Sequence, residues 1–421
     1  MTALHIAIIG YGTAGQTAAL LLARDGHRVE VFERAAELGP VGAGFLLQPT
    51  GLQVLWELGL LDSALAHGRR VHRLHGETPC GRAVMDMRYA GLGGNLFGLG
   101  MQRGALFTLL ADAWPEARHV HRGHTITALD DDTRRVRDQH GRWHGPFDLV
   151  IAADGAGSQL RGATRQVRGE AVYPWGALWC LVPAEDWAWQ DELRQRYVAA
   201  RKMIGMLPVG TRPGDDTPRL SFFWSLPVGA FDDWHARGLP PWRKEIAQLW
   251  PDAHERLACI TDPAQLARAV YRDVSVRQWH RDRLVLLGDA AHAMSPQLGQ
   301  GVNMALMDAL ALRDALRTHT EVPLALQAYQ QQRQAHVGVY QFWSRWLTPI
   351  FQSDRDMIAR ARDIAFLPMG RLPGGRGHML RVLSGTQHGF LGKLPLKPEF
   401  LAALGKAEPV ALDAARADGA R

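Results

Sequence analysis

Three places in the chain set glycine beside an acid, a pairing able to bind phosphate and polyol together. The first is Gly10-Tyr-Gly12-Thr13-Ala14-Gly15, followed at the end of the next apolar run by Glu33 and Arg34. Gly10 permits a tight turn, Gly12 lets a pyrophosphate approach the backbone, and Gly15 lets helix and strand pack closely. The free N–H groups of the helix start bind the phosphate charge, and Glu33 can accept hydrogen bonds from both hydroxyls of a ribose. The second is Asp154-Gly155, in the run Asp148-Leu-Val-Ile-Ala-Ala-Asp154-Gly155-Ala-Gly-Ser158-Gln-Leu-Arg161. The third is Gly288-Asp289, which continues through Pro296 to Gly299-Gln-Gly301-Val302-Asn303. Asp289 can bind a polyol hydroxyl, and the glycines before Val302 leave bare amides at a helix start, where negative charge is stabilised.

Such groups need strand ends to hold them. His5 to Ile9 reads as a short buried parallel strand, and Ala14 to Arg24 as a helix with Ala18, Leu21 and Leu22 on its apolar side. Gly26 suits the left-handed stop of that helix, and Arg28 to Phe32 reads as the second strand. Apolar strands precede Asp154 and Asp289, and Val302, Ala305, Leu306, Ala309, Leu310 and Leu316 mark an amphipathic helix after the third motif. Ligands of an open parallel sheet lie beyond the carboxyl ends of its strands. Three such ends, far apart in the chain, imply one long cofactor running across the sheet. A reduced flavin carries its charge at the N1–C2=O edge, which suits the helix start at Val302.

The order of these motifs resembles the single-component FAD-dependent aromatic hydroxylases, the para-hydroxybenzoate hydroxylase-like flavoprotein monooxygenases, over roughly residues 1 to 345. The resemblance implies an α/β fold: a Rossmann-like FAD-binding domain (1–72, 101–172 and 271–320), an inserted β-sheet substrate domain (73–100 and 173–270) and a C-terminal helical region (321–421). It implies that Gly10, Gly12, Thr13, Ala14, Gly15, Glu33 and Arg34 hold the ADP half, and that Arg103 and Asp289 reach the ribityl and phosphate region. Gly299, Gly301, Val302 and Asn303 would hold the isoalloxazine, with Pro296 facing its reacting edge. Asp154 and Gly155 would serve both FAD and NADPH or NADH. Ala152 stands where relatives carry glycine, and no asparagine follows Pro49; neither change removes a group the cofactor needs. The activity implied is hydroxylation of a hydrophobic aromatic small molecule by O2 through a flavin C4a-hydroperoxide.

The substrate side is less explicit. Eight of the 14 tryptophans lie between Trp175 and Trp250, and Leu220, Phe222, Trp224 and Leu226 alternate with Ser221, Phe223 and Ser225 as in a sheet with one apolar face. Trp179, Phe222 and Trp224 are the expected pocket residues. No residue announces itself as acid or base; His72, His75, Tyr89, Tyr173 and Tyr197 lie in or beside the inserts, and His292 reads as a structural hydrogen-bonding residue.

Composition narrows the class. The 421 residues predict two or three domains, and 47% hydrophobic with 21% charged residues excludes disorder and fibrous classes. A net charge of +6, scattered along the chain, gives no reason to expect nucleic acid. Cys80, Cys180 and Cys259 read as inert packing residues and form neither a disulfide framework nor a Cys/His cluster. A cytoplasmic protein without a metal is expected. Leu4 to Ile9 is too short for a signal-peptide core, and no run reaches the roughly 18 apolar residues of a membrane span. Long helices are expected over Gln327 to Trp346 and Asp354 to Phe366. The stretch from Pro368, with Arg371, Arg376 and Arg381, could lean on a membrane surface, although a solvated basic face explains it more simply. The last twenty residues are expected to fray. A monomer or homodimer is expected.

Three other readings share these motifs. A halogenase would carry Trp-x-Trp-x-Ile-Pro, which Trp187-Ala-Trp189-Gln-Asp does not complete. A flavoprotein reductase would incorporate no oxygen, and a non-catalytic flavin sensor would not need the full set of flavin-edge residues. There is no second GxGxxG opening a helix, so the nicotinamide has no Rossmann unit of its own.

Overall fold

The computed structural model describes residues 2–39, 42–93, 95–114, 119–370 and 374–406. Arg371 and residues 407–421 of the expected fraying tail lie outside them.

Short runs rich in Ile, Leu and Val form a six-stranded sheet in the order His280–Arg281, Leu284–Leu286, Leu149–Ala152, His5–Ile9, Arg28–Glu33, Val120–Arg122. All pairings are parallel except the first, as crossovers through helices require. Ile9 pairs with both Ala152 and Phe32, so the three motif-bearing strands end side by side. The helix Thr13–Arg24 packs on this sheet, and the helix Gly301–Thr318 packs against Thr13–Arg24. Their buried alanines permit that close approach.

A seven-stranded sheet forms the second layer. It runs Ala267–Val276, Val167–Pro183, Asp215–Pro227, Lys202–Arg212, Glu192–Val198, Arg73–Glu77, Ala83–Arg88. One face packs under the helices Phe231–Arg237, Leu239–Leu249 and Pro251–Arg256. The other looks toward the cofactor sheet, where the small sheet of Gly44–Leu47, Gly98–Gln102 and Arg69–Val71 abuts it.

The sequence-based boundaries at 72 and 320 fall between elements. Those at 100, 172 and 270 fall inside the strands Gly98–Gln102, Val167–Pro183 and Ala267–Val276. Long strands cross between layers, so no break in composition marks the crossing. The expected C-terminal helices are longer than anticipated: Val322–Phe351, then Asp356–Gly370. A 30-residue helix is stable here because its buried stripe, Leu326, Tyr329, Arg333, Val337 and Tyr340, lies on the cofactor domain.

Candidate active site

A cleft of about 440 Å³ opens where the parallel strands end, lined by Gly10, Gly12, Thr13, Glu33, Arg34, Arg103, Asp154 and Gly155 among others. Its floor is shaped by glycine. Gly10 has φ +103°, and a Cβ there would lie 2.5 Å from the Ala153 carbonyl oxygen. A Cβ on Gly15 would lie 2.0 Å from the Gly10 oxygen, so the helix could not approach its strand. At Gly12 a Cβ would meet open space, the room a phosphate needs at a helix start.

Glu33 ends its strand at the rim. Its carboxylate accepts the Tyr11 N–H at 2.7 Å and the Ala35 N–H at 2.9 Å, which fixes both oxygens with lone pairs to spare. Asp154 accepts the Gln159 N–H through Oδ2 at 3.0 Å, while its buried Oδ1 has no partner. Burial pushes the Asp154 carboxyl above the usual carboxylate range. A buried oxygen without a donor, on a cleft wall, fits a ligand that brings a hydroxyl or N–H.

Arg103 opens the helix Arg103–Asp112, its guanidinium 5.7 Å from the Phe45 ring centroid and within electrostatic reach of Asp289. Asp289 is exposed, with Oδ1 4.0 Å from where a Cβ of Gly301 would stand. Pro296 begins the turn that Gly299 closes at φ +62°. Asn303 is fully buried: its Oδ1 accepts the Gln48 N–H at 2.8 Å, and its Nδ2 donates to the oxygens of Leu46 and Gly299, each at 3.3 Å. The Asn303 side chain is therefore occupied in holding the strand Gly44–Leu47, and the amides of its loop are what remain for a ligand.

A family model described as FAD binding domain matches residues 3–340. The chain belongs to the single-component FAD-dependent aromatic hydroxylases. It is 30% identical to kynurenine 3-monooxygenase of Salinispora arenicola over 85% of this chain and 81% of that one. It is 28% identical to the FAD-dependent urate hydroxylase of Klebsiella pneumoniae subsp. pneumoniae over 77% and 85%. The crystal structure of Klebsiella pneumoniae HpxO complexed with FAD and uric acid shares the fold at a TM-score of 0.76, with 24% identity over 90% of this chain and 97% of that one. FAD is the hydroxylase's cofactor, and the glycine floor, the Glu33 rim and the orphaned Asp154 oxygen fit it.

Two buried side chains tie the hydroxylase's motifs together. Arg161, which in sequence reads only as the basic end of a turn, is 2% exposed. It donates to the carbonyls of Ala290 (2.7 Å), Ala156 (2.8 Å), Gly155 (3.3 Å) and Asp289 (3.4 Å), and pairs with Glu170 at 2.8 Å. It thus clamps the Asp154 turn to the Asp289 helix. Asp308 accepts the Gly288 N–H at 2.9 Å, His292 Nε2 at 2.6 Å and Arg333 Nε at 2.7 Å. The expected structural role of His292 is this bond.

The pocket expectation needs correction. Trp179 pairs with Phe223, whereas Phe222 and Trp224 pair with Cys180 and Leu178. Directly paired residues share a face and neighbours along a strand do not. Phe222 and Trp224 therefore lie on the far face, packed on Trp242 at ring distances of 6.0 and 6.2 Å. Trp179 faces the cofactor side, 5.1 Å from the Phe223 ring, and its Nε1 donates to Tyr271 Oη at 2.9 Å. Sequence reasoning missed Phe223 and Tyr271; the alternation located Phe223, but nothing local said which face was inside. Tyr89 donates to Gln48 Oε1 at 2.6 Å, and Tyr197 donates to Gln195 Oε1 at 2.8 Å, so both phenols are taken. His75 leans on Glu77 at 3.2 Å, within the sheet. Cys180 is buried as expected, but Cys80, in a turn, and Cys259, at the end of the short 3-10 helix Leu257–Cys259, are exposed.

Proposed function

We propose that the chain uses NADPH or NADH with O2 to hydroxylate a hydrophobic aromatic small molecule held against Trp179 and Phe223. One observation carries this reading: the Trp179–Tyr271 hydrogen bond joins that aromatic face to Tyr271, which lies within electrostatic reach of Arg103 on the cofactor cleft. In this reading Gly10, Gly12, Thr13, Ala14, Gly15, Glu33 and Arg34 bind the ADP half. Arg103 and Asp289 hold the ribityl chain, the Gly299–Asn303 amides hold the ring, and Pro296 borders its reacting edge. Asp154 and Gly155 serve FAD and the visiting nicotinamide. FAD supplies the acceptor for reducing equivalents and the activation of oxygen; the protein orients, excludes water and moves protons.

Tyr271 is the proton-bearing group best placed for this. Burial pushes its phenol up to about 12, so it keeps its proton at neutral pH. Its oxygen accepts from Trp179, which leaves its O–H to donate to a substrate oxygen and favour a phenolate, the more reactive form.

Among the described residues no helix is long and apolar enough to cross a membrane, and the three cysteines are free. We place the enzyme in the cytoplasm. One chain builds the cleft, so a monomer suffices or a homodimer repeats it.

Anaerobic bleaching of the bound flavin by NADPH and NADH, timed with and without phenols, quinolones and indoles, tests the reading. Faster bleaching with one compound, and oxygen-18 from O2 in its product, is expected. No bleaching by either nucleotide overturns it. Trp179→Leu should weaken that compound's effect about 10-fold, while Phe222→Leu should lower stability and leave the effect unchanged.

A further inference from the structure

We propose that His124, Asp138 and His144 form a zinc site at the adenosine end of the cofactor cleft. The three are brought together by a small antiparallel sheet, Ile126–Asp130, Arg135–Asp138 and Trp143–His144, that connects the strand Val120–Arg122 to the strand Leu149–Ala152. Their spacing matches no metal-binding motif, which is why the sequence raises no expectation of one.

The geometry is that of a coordination shell. Each residue offers one ligand atom, and the three lie within 4.8 Å of one another. His124 Nδ1 is 3.2 Å and His144 Nε2 is 3.0 Å from the same oxygen, Asp138 Oδ2. Around a tetrahedral zinc ion with bonds of about 2.1 Å, ligand atoms stand about 3.4 Å apart. Each ring nitrogen is thus within about 0.4 Å of that spacing from the shared carboxylate oxygen. Two imidazoles aimed at one carboxylate oxygen can serve it with N–H groups, or turn three lone pairs onto a cation.

The surroundings favour the second arrangement. Asp138 is fully buried, and its other oxygen accepts the backbone N–H groups of His140 (2.9 Å) and Arg142 (3.0 Å), the outer-shell bonds that orient a ligating carboxylate. The Phe32 ring lies 5.1 Å from His144 and 6.4 Å from His124, restricting both imidazoles on one side. The His124 and His144 side chains are 24% and 21% exposed, which gives an ion a path in and room for a water as fourth ligand. His121, the next imidazole, is committed to Glu30 at 3.2 Å.

The site touches the cofactor cleft directly. His124 lines it, and the His124 N–H donates to the Glu33 carbonyl at 2.9 Å. The ion would brace the loop that closes the adenosine end, a structural and not a redox role.

Untagged, FAD-loaded protein stripped of metal would be titrated with Zn2+ by calorimetry and with Co2+ by absorption beyond the flavin bands. One ion per chain is expected, with tetrahedral cobalt bands, a rise in Tm on adding Zn2+, and at least about a 100-fold loss of affinity in His144→Ala and His124→Ala. His144→Ala, outside the cleft lining, should keep wild-type FAD content and a metal-free Tm within a few degrees. Should either misfold, His144→Gln, which keeps the side-chain bulk and one polar contact, replaces it with the same expectation. Equal affinity in wild type and variants, as the other histidines of the surface would give, overturns the proposal, and so does no binding at all.

Discussion

Two buried aspartates, each holding histidine, stand at opposite ends of the cofactor domain and are built differently. Asp308 lies in the core between the helices Gly301–Thr318 and Val322–Phe351. Its charge is met by a buried cation, Arg333, which passes on to His336 Nδ1 at 2.6 Å, and His336 Nε2 donates to the Gly385 carbonyl at 2.8 Å. Burial pushes the Asp308 carboxyl up, but the charges of His292 and Arg333 outweigh it and bring it down to about 2. Asp138 is equally closed to solvent but lies near the surface, and its partners are two backbone amides and two partly exposed imidazoles. Burial pushes it up as well, and the bonds from His144, the backbone amides and His124 hold it below the carboxylate range. The core network is closed because its cation is built in; the hairpin cluster is open because its positive partner can come from solvent. Closed networks set architecture, and open ones can respond to what binds.

The largest effect should come from opening the closed network. Asp308→Asn leaves Arg333 buried without its carboxylate and should cost about 3–5 kcal/mol, read by urea unfolding of the FAD-loaded protein. It should also loosen FAD, since Gly288, beside Asp289, loses its anchor. A cost below about 1 kcal/mol would place the two aspartates in the same class.

Next comes pH. The His336 imidazole is driven down to about 3, first by burial and then by the charge of Arg333. The unfolded chain takes up that proton near 6.5 and the folded one does not, so this contribution to stability is complete above pH 6.5. It falls toward pH 3 at no more than about 1.4 kcal/mol per unit. Asp308, depressed to about 2, contributes above the ordinary carboxylate pKa near 4 and is lost only as pH falls from there through about 2. Urea midpoints should therefore decline from pH 6.5 downward, and His336→Gln should flatten that decline. An unchanged slope in the variant would show that another histidine carries it.

The smallest effect is expected at the open cluster. Without metal, His144→Ala should change stability by under about 1 kcal/mol, as partly exposed pairs do. Thermal unfolding with and without Zn2+ separates this from the loss of a bound ion.

The motif-bearing strands were legible because each needs only a local pattern: an apolar run, glycines and an acid. Glu33 and Asp154, both taken from such patterns, line the cleft. Arg161 and Asp308 were not legible as organisers, since their partners lie more than a hundred residues away at Ala290 in the one case and on another helix in the other. The alternation from Leu220 to Leu226 disclosed a two-faced strand but not its orientation, because both faces are buried, the one with Ser221, Phe223 and Ser225 as well as the apolar one. Phe222 and Trp224 were expected inward because they lie on the apolar face of the alternation, and the helices Phe231–Arg237 and Leu239–Leu249 cover that face instead.

By itself the sequence determined what short-range physics can specify: the parallel strands, the glycine turns, the acids that end them and the family they belong to. Tertiary structure alone decided which face of the second sheet meets the cofactor, how Arg161 joins two motifs and how His124, Asp138 and His144 converge. Those outcomes depend on register and on contacts between distant segments, where a shift of one residue turns every side chain to the other face.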